Sequence, residues 1–484
     1  STPSNSSAAS DVYKRQITSK EEFPMDYKSE VKIVGYSNCG ESLCAAGGRI
    51  STQPGDVFDI LEKSKDAEKN ASLIQKVTKS GHNSVIEHLF FNLAFRNVSV
   101  VVEQFMIEFR LASFTVKSRR YVDFGDAGFF VPEFSSEAVK EKYTNHMSKL
   151  FDTYNKLTEK GVAKEDARFV LPYCFFSNFI CSMNAREFLN VLRAMLYGRG
   201  SQYPEIKKIG LSLLEQAKEI APGVMESFNN FGKTYNDKPD FSFLSSKGEY
   251  LNESPLVELI SYTENSDLAV AKTAIISETA LNQTQVDAAV SDRETRKRII
   301  DAVIDCARPR PLEAASYTFR LNNVSLACIT HIVRHRIQCV TVPELTSSNR
   351  GRYIIPPAVK VDAELLEMYK SAFSETQKLY NELKDMGESE ENLIYVLLSG
   401  NTLDLTITMN ARELLLFLKL RTCERAQWEI RDYAYDMLKM LRNSAPDIFR
   451  RYGPSCFVTG VCPEGRLSCG KAAEIKERFS GNDF

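Results

Sequence analysis

Arg334, His335 and Arg336 are three adjacent hydrogen-bonding side chains that follow an apolar segment and precede the polar run VTVPELTSSNRGRY. Guanidinium groups match phosphate oxygens two bonds at a time, and a histidine between them donates or accepts. The chemistry such a triplet suits is the grip of a phosphate-rich cofactor. An isolated Arg-His-Arg is usually only a solvated basic turn, so context has to decide. That context is a second copy of the chain's own pattern. A register of 226 residues lays Tyr36 on Tyr262, Ser51 on Ser277, Glu87 on Glu313 and Arg110 on Arg336. It also lays Asn97, Val98 and Ser99 on Asn323, Val324 and Ser325, and Asn184, Ala185, Arg186 and Glu187 on Asn410, Ala411, Arg412 and Glu413.

Solenoid and propeller periods run about 20 to 50 residues, so so long a period is a duplicated domain. Two copies imply two self-sufficient globular lobes, each burying its own core. Both open on a short alternating strand, at Val31, Ile33 and Tyr36 and at Val257, Leu259 and Ser261. In the first lobe a helical stretch over 56–80 follows; in each an apolar segment, a polar hairpin-like stretch and long helices come next. In the second lobe NARELLLFLKLRTCERAQWEIRDYAYDMLKMLRNSAP reads as one long helix ended by Pro446. Strands followed by a set of helices predict an α+β fold: two tandem homologous lobes, each a small antiparallel or mixed sheet packed with several helices. The predicted boundaries are a disordered leader or tag over 1–23, a first lobe over 24–236, a linker over 237–252, a second lobe over 253–463 and a C-terminal tail over 464–484. Residues 1–16, rich in Ser and Ala, resemble translated cloning sequence and stand outside the fold.

A formal net charge of -2 excludes a general electrostatic pull toward nucleic acid or anionic lipid. The arginine-rich loop Arg350, Gly351, Arg352, Tyr353 is a weak basis for nucleic-acid binding in that setting. Eleven cysteines without a CxxC pair suggest free thiols in a reducing compartment, with the cytoplasm as default. Cys456, Cys462 and Cys469 are spaced more widely than ordinary zinc pairs and no histidine follows them, so no metal site is expected. No apolar run reaches the roughly 20 residues that span a bilayer, and a soluble protein is expected.

From Glu108 to Tyr121 the first lobe reads EFRLASFTVKSRRY, closing on Ser118, Arg119, Arg120 and Tyr121. Joined to the second lobe's triplet, these residues resemble the signature of the flavin-dependent thymidylate synthases, RHRxxSxNExSxRY. The second lobe supplies its beginning and the first its end. Gly81, His82, Ser84, Glu87 and His88 resemble that family's GHxSxxEH segment, and NARELLLFLKLRTCERAQWEIR resembles its C-terminal helix. The resemblance implies a homotetrameric enzyme whose sites are shared between subunits. It implies FAD as the carrier of reducing equivalents from NADPH, methylenetetrahydrofolate as carbon donor, and conversion of dUMP to dTMP. It makes Arg334, His335 and Arg336 the flavin triplet, with Asn184, Arg186, Asn190, Ser51 and Ser84 as further flavin contacts. Ser118, Arg120, Tyr121 and Arg168 become the grip on the nucleotide, Glu344 an acidic position serving the substrate, and Arg421 the arginine facing the pyrimidine, with Arg421 and Ser118 the catalytic pair.

The departures from the pattern are complementary. The first lobe has Glu108 and Phe109 in place of the first Arg and the His, and Met195 where the second has Arg421. The second has six extra residues between Arg336 and Tyr353, Ile394 in place of Arg168, Leu416 in place of Asn190, and Arg308 and Arg310 in place of His82 and Ser84. The glutamine three residues before the triplet is His331 in one lobe and Phe105 in the other. The expectation is a homodimer acting as a pseudo-tetramer, with working pockets that join the second lobe's triplet to the first lobe's Ser118, Arg120 and Arg168. The alternatives are a flavin- or nucleotide-binding pseudoenzyme, or a related flavoenzyme acting at carbon 5 of another uridine nucleotide.

Overall fold

In the computed structural model the described residues are 29–229 and 255–481, with the single positions 235, 237, 239, 241 and 243. The leader or tag expected over 1–23 and most of the expected linker lie outside them. Each lobe is built on an antiparallel sheet. In the first, β1 (Glu30–Tyr36), β2 (Phe90–Ser99), β3 (Ser113–Val116) and β4 (Phe176–Asn184) lie in the order β1-β2-β4-β3. In the second, β5 (Val257–Tyr262), β6 (Ser316–Ser325), β7 (Gln338–Thr341) and β9 (Asn401–Asn410) repeat it as β5-β6-β9-β7, and β8 (Asn349–Tyr353) adds to β9. Period-two alternation in β2 sends Phe91, Leu93 and Phe95 into the core and Asn92 and Arg96 outward. The fold class is the expected α+β pair.

The shared Asn-Val-Ser run is architectural. Asn97 and Asn323 adopt left-handed backbone, φ 51° and 58°, where both sheets slip register, between Phe95 and Val98 and between Leu321 and Val324. Asparagine tolerates that conformation better than most residues. Ser99 and Ser325 then cap the helices Val100–Ile107 and Leu326–Ile332, their Oγ atoms accepting from Val102 N at 3.3 Å and Cys328 N at 3.0 Å. Each serine donates its hydroxyl at 2.6 Å to a buried carboxylate, Glu205 in one lobe and Glu429 in the other. These glutamates are 224 residues apart, so the single register shortens by two residues before them.

The two carboxylates are not equally served. Glu205 also accepts from Ser29 Oγ at 3.0 Å and from Tyr395 Oη of the second lobe at 3.1 Å. At Tyr395's place the first lobe has Phe169, which stacks on Trp428 and donates nothing. Burial pushes Glu429 up to about 7. Between its unfolded value near 4.5 and 7 the folded state therefore holds a proton that the unfolded chain has released, and stability falls as pH rises through that window. Glu429→Gln is expected to remove roughly 2 kcal/mol of the stability lost between pH 5 and pH 8. Denaturant unfolding at the two pH values checks it; an unchanged pH slope would assign the loss to other groups.

The lobes meet about a pseudo-two-fold axis. Pro172 forms an isolated antiparallel bridge with Leu398, its own equivalent in the register. Beside it, Tyr173 N donates to Leu397 O at 2.7 Å and Ser399 N to Leu171 O at 2.9 Å, each the image of the other. The helices Glu137–Glu159 and Ala363–Asp385 are tied across the lobes by Lys142–Glu382 at 2.9 Å and Lys160–Glu364 at 2.7 Å. The apolar core runs without interruption through both lobes. That corrects the expectation of two separate cores: the apolar surface one copy would expose along the axis is covered by the other.

Within 464–481 the helix Ala472–Ser480 packs on the second lobe through buried Ile475 and Phe479. Nearby, Cys423 joins Cys456, Cys462 and Cys469; burial and then the neighbouring thiols hold Cys423 and Cys456 above the usual thiol range. Among the described residues no group of His, Cys, Asp or Glu is disposed to hold a metal ion, and no helix is long and apolar enough to cross a membrane.

Candidate functional site

The triplet diverges where the helix Leu326–Ile332 ends. His335 is buried, its ring 4.8 Å from that of Phe417, its Nδ1 3.4 Å from Glu413 Oε1. Its Nε2 accepts from Arg421 Nε at 2.9 Å. Since a guanidinium only donates, the His335 proton sits on Nδ1, toward Glu413. Arg421 also donates to the His331 carbonyl at 2.9 Å. Arg336 reaches into the first lobe, donating to Ala112 O and, at 2.9 Å, to Ser113 Oγ. Arg334 stays at the surface and forms no hydrogen bond with a described residue.

Arg421 owes its position to a break the sequence did not announce. The expected single long helix is two, Ala411–Arg421 and Trp428–Ser444. Gln427 caps the second, accepting from Ile430 N at 3.1 Å. The intervening turn leaves the Arg425 carbonyl outside any helical ladder, where Arg120 of the first lobe donates to it at 3.1 Å.

The rest of the first lobe's grip comes to the same place. Arg168, 4% exposed, donates to Glu165 O at 3.0 Å and to His331 Nε2 at 3.1 Å. Arg120 pairs with Glu165 at 2.5 Å, and Ser118 Oγ accepts from Arg120 N at 3.3 Å. Tyr121 is exposed, its ring centre 5.6 Å from the Arg120 guanidinium. Arg119 is buried against Glu103 and lies 5.1 Å from the Phe175 ring centre.

These cations are crowded. Burial, then Arg168, Arg421, Arg334 and Arg120, hold the basicity of His331 well below the ordinary imidazole range. Burial and then Arg119 bring Arg168 down to about 10; burial and then Arg334 do the same to Arg421. Arg110, the first lobe's one retained member of the triplet, was left out of the sequence-based site. Its Nε and Nη2 are buried with no hydrogen-bond partner, and burial followed by Arg336 brings it to about 10. Its conspicuous retention opposite Arg336 was the signal. Mutually repelling, partly desolvated guanidinium groups with unused donors make an anion site.

The mirror-image place is closed. Phe105, Glu108, Phe109, Met195 and Ile394 stand where the basic side has His331, Arg334, His335, Arg421 and Arg168. Met195 and Ile394 are fully buried. Arg199 pairs with Glu108 and lies 5.1 Å from the Phe105 ring centre and 5.7 Å from that of Phe109, filling the space with its own guanidinium. Glu344, expected with the triplet, is on this side. It neighbours Tyr203 of the first lobe and, after burial, is the main influence holding that phenol up to about 12. The six extra residues after Arg336 carry the loop away, and β8 then ties it to β9.

Five expected flavin contacts lie elsewhere in the chain, and no hydrogen bond or ion pair among the described residues joins them to the basic cluster. Asn184 caps the helix Ala185–Leu196, accepting from Glu187 N at 2.9 Å. Arg186 pairs with Glu87 at 2.7 Å, as Arg412 does with Glu313 in the other lobe. Asn190 donates to Glu187 at 3.2 Å. Ser51 ends the helix Ser42–Ile50, donating to Gly48 O at 3.3 Å, and Ser84 is exposed in the turn Asn83–His88.

The family model described as thymidylate synthase complementing protein (Thy1) matches residues 32–223 and again 258–447. The flavin-dependent thymidylate synthase of Geobacter sulfurreducens is 34% identical over 233 residues, 46% of this chain and 97% of the relative. That of Clostridium tetani is 32% identical over 241 residues, 46% and 96%. That of Pyrococcus furiosus is 33% identical over 221 residues, 44% and 90%. Among solved structures, the UMP/dUMP methylase PolB from Streptomyces cacaoi bound with 5-Br dUMP shares 22% identity at a TM-score of 0.36, covering 43% of this chain and 97% of that one.

Proposed function

The chain belongs to the thymidylate synthase complementing protein family, and from that premise we propose that it is an FAD-dependent methyltransferase converting dUMP to dTMP, with one competent site per chain. The observation that carries the reading is the convergence, within one polypeptide, of Arg120 and Arg168 from one lobe with Arg334, His335 and Arg421 from the other. Ser118, Arg120 and Arg168 hold the nucleotide phosphate through charge-assisted hydrogen bonds. Arg421, fixed by His335 and the His331 carbonyl, faces the pyrimidine and stabilises negative charge as carbon 5 becomes nucleophilic. The residues fit a flavin dinucleotide: Arg110 has buried unpartnered donors, and Arg336 adjoins it. FAD, when bound, supplies the redox chemistry between NADPH and methylenetetrahydrofolate-derived carbon.

Asn184, Arg186, Asn190, Ser51 and Ser84 are proposed to reach a flavin held by a second copy of the chain. Val34, Tyr36, Phe90 and Ile180 of the first sheet and Ile260 and Tyr262 of the second are exposed, an apolar pair of faces suited to a homodimer that reproduces a four-lobed assembly. Purified protein is expected to be yellow, to bleach with NADPH, to release tritium from labelled dUMP, and to saturate at one dUMP per chain in a calorimetric titration. Protein that stays colourless with added FAD and releases no tritium would rule out the activity. Two nucleotides per chain would rule out a closed mirror site.

A further inference from the structure

Four of the eleven cysteines, Cys423, Cys456, Cys462 and Cys469, are half-buried free thiols gathered in the second lobe. Three belong to the segment that follows the family match, which ends at 447. Cys423 belongs to the turn after Arg421. The packing that gathers them does not depend on sulfur. Ser455 Oγ donates to Lys419 O at 3.4 Å and Arg478 pairs with Glu424 at 2.7 Å, so the C-terminal segment lies against the chain on either side of Cys423. Cys456 and Cys469 pack against the core. After burial, Cys469 is the largest influence raising the Cys423 thiol, and Cys423 the largest raising that of Cys456.

The turn that carries Cys423 also completes the basic pocket. Ala426 N donates to Cys423 O at 2.8 Å, and the Arg425 carbonyl accepts from Arg120 at 3.1 Å. Arg421, two residues before Cys423, is held by His335 and by the His331 carbonyl. The closed side has no such thiol: Tyr197 stands in place of Cys423, and there Asp237 accepts from Arg199 N at 2.9 Å. Among the described residues no hydrogen bond joins one of the four sulfurs to another. A disulfide needs its sulfurs about 2.05 Å apart, so closing one has to draw the turn toward the C-terminal segment.

We propose that Cys423 is a reversible oxidation site, at which a hydroperoxide joins it to a thiol of the C-terminal segment and the disulfide so formed pulls the turn away from Arg120 and Arg421 away from His335. With hydrogen peroxide one thiolate attacks a peroxide oxygen, the O–O bond breaks, and sulfenic acid and water result. The second thiol displaces that hydroxyl as water; the S–O bond breaks and the S–S bond forms. The two sulfurs lose two electrons and two protons, and the peroxide leaves as two waters. The cross-link stands on the cluster alone, while its effect on turnover rests on the function proposed above.

The full chain is treated with hydrogen peroxide, digested without reductant and mapped by mass spectrometry. The peptide holding Cys423 is expected to be linked to one holding Cys456, Cys462 or Cys469. kcat/KM for dUMP is expected to fall by about tenfold or more and to return with dithiothreitol, which reverses a disulfide but not a sulfinic acid. Cys423→Ser is expected to turn over like the parent and to keep its activity under peroxide, whereas Cys306→Ser, which removes an exposed thiol of the same lobe, stays sensitive. A disulfide confined to the C-terminal segment, no disulfide at all, or undiminished turnover in linked protein overturns the proposal. So does elemental analysis that finds one zinc per chain blocking oxidation until it is chelated. The map needs no variant, so it decides even where Cys423→Ser fails to fold. A parent without turnover defeats the functional reading instead, and the map still decides the cross-link.

Discussion

Arg168→Ile is expected to lower kcat/KM for dUMP by about a thousandfold, close to 4 kcal/mol, without lowering the temperature at which the protein unfolds. The two halves of this expectation have one cause. Arg168 is a buried cation whose basicity is brought down to about 10 by burial and by Arg119. Its folded value lies below its unfolded one, so the folded state binds the proton less tightly and the charge opposes folding at neutral pH. Replacing a poorly neutralised buried ion by an apolar side chain of suitable shape is often neutral or stabilising. The chain contains its own demonstration that isoleucine fits: Ile394 occupies the same place in the matching turn and is fully buried. What Ile394 cannot do is present two charge-assisted donors to a phosphate. Steady-state kinetics with thermal unfolding of the same sample measures both. Turnover within tenfold of the parent would remove Arg168 from the site; a large drop in unfolding temperature would make it a structural residue.

Why some of this was legible in the sequence, and some not, follows from what a repeat can report. Equivalent positions betray equivalent folding, so β2 and β6, or the capping Asn184 and Asn410, are found in matching places. Complementary losses betray a division of labour, and Met195 against Arg421 and Ile394 against Arg168 sort to the closed and the basic side. Direction is another matter. Arg119 and Arg120 are adjacent and chemically alike, yet one faces Glu103 in the core and the other the pocket. Only the path of the loop decides which. The Asn97 and Asn323 runs attract the eye as polar matches, but their donors and acceptors are consumed within the fold by a bulge, a cap and a buried glutamate. Glu344 is misplaced by an insertion whose route depends on β8 pairing with β9. The break after Arg421 has no Gly or Pro to mark it, and the turn between the helices is stabilised by Gln427 and by Arg431 donating to Glu424 O at 3.1 Å, local contacts that a hydrophobic count does not register.

Mixing the Arg120→Ala and Arg421→Ala proteins is expected to restore no activity, even after subunits have been exchanged. The two residues belong to different lobes, so in a family that shares sites between subunits one would anticipate rescue: one member of a mixed dimer supplies the arginine the other lacks. Here Arg120 donates to the carbonyl of Arg425, four residues beyond Arg421 in the same chain, and Arg168 of one lobe to His331 of the other. Covalent linkage holds both halves in register about the Pro172–Leu398 bridge. Every chain of either variant then carries one damaged pocket, and exchanging its partner leaves that pocket damaged. A site assembled between chains predicts otherwise. Random exchange makes about half the dimers mixed, each with one intact pocket of two, and so returns about a quarter of the parent rate. Exchange is verified with differently tagged subunits, and tritium release from labelled dUMP reads the outcome. The parent mixed in equal amount with the doubly substituted Arg120→Ala, Arg421→Ala protein serves as the control, keeping about half its activity when each chain builds its own site. Recovery to about a quarter in the first mixture would move the joining of half-sites from within the polypeptide to the dimer interface.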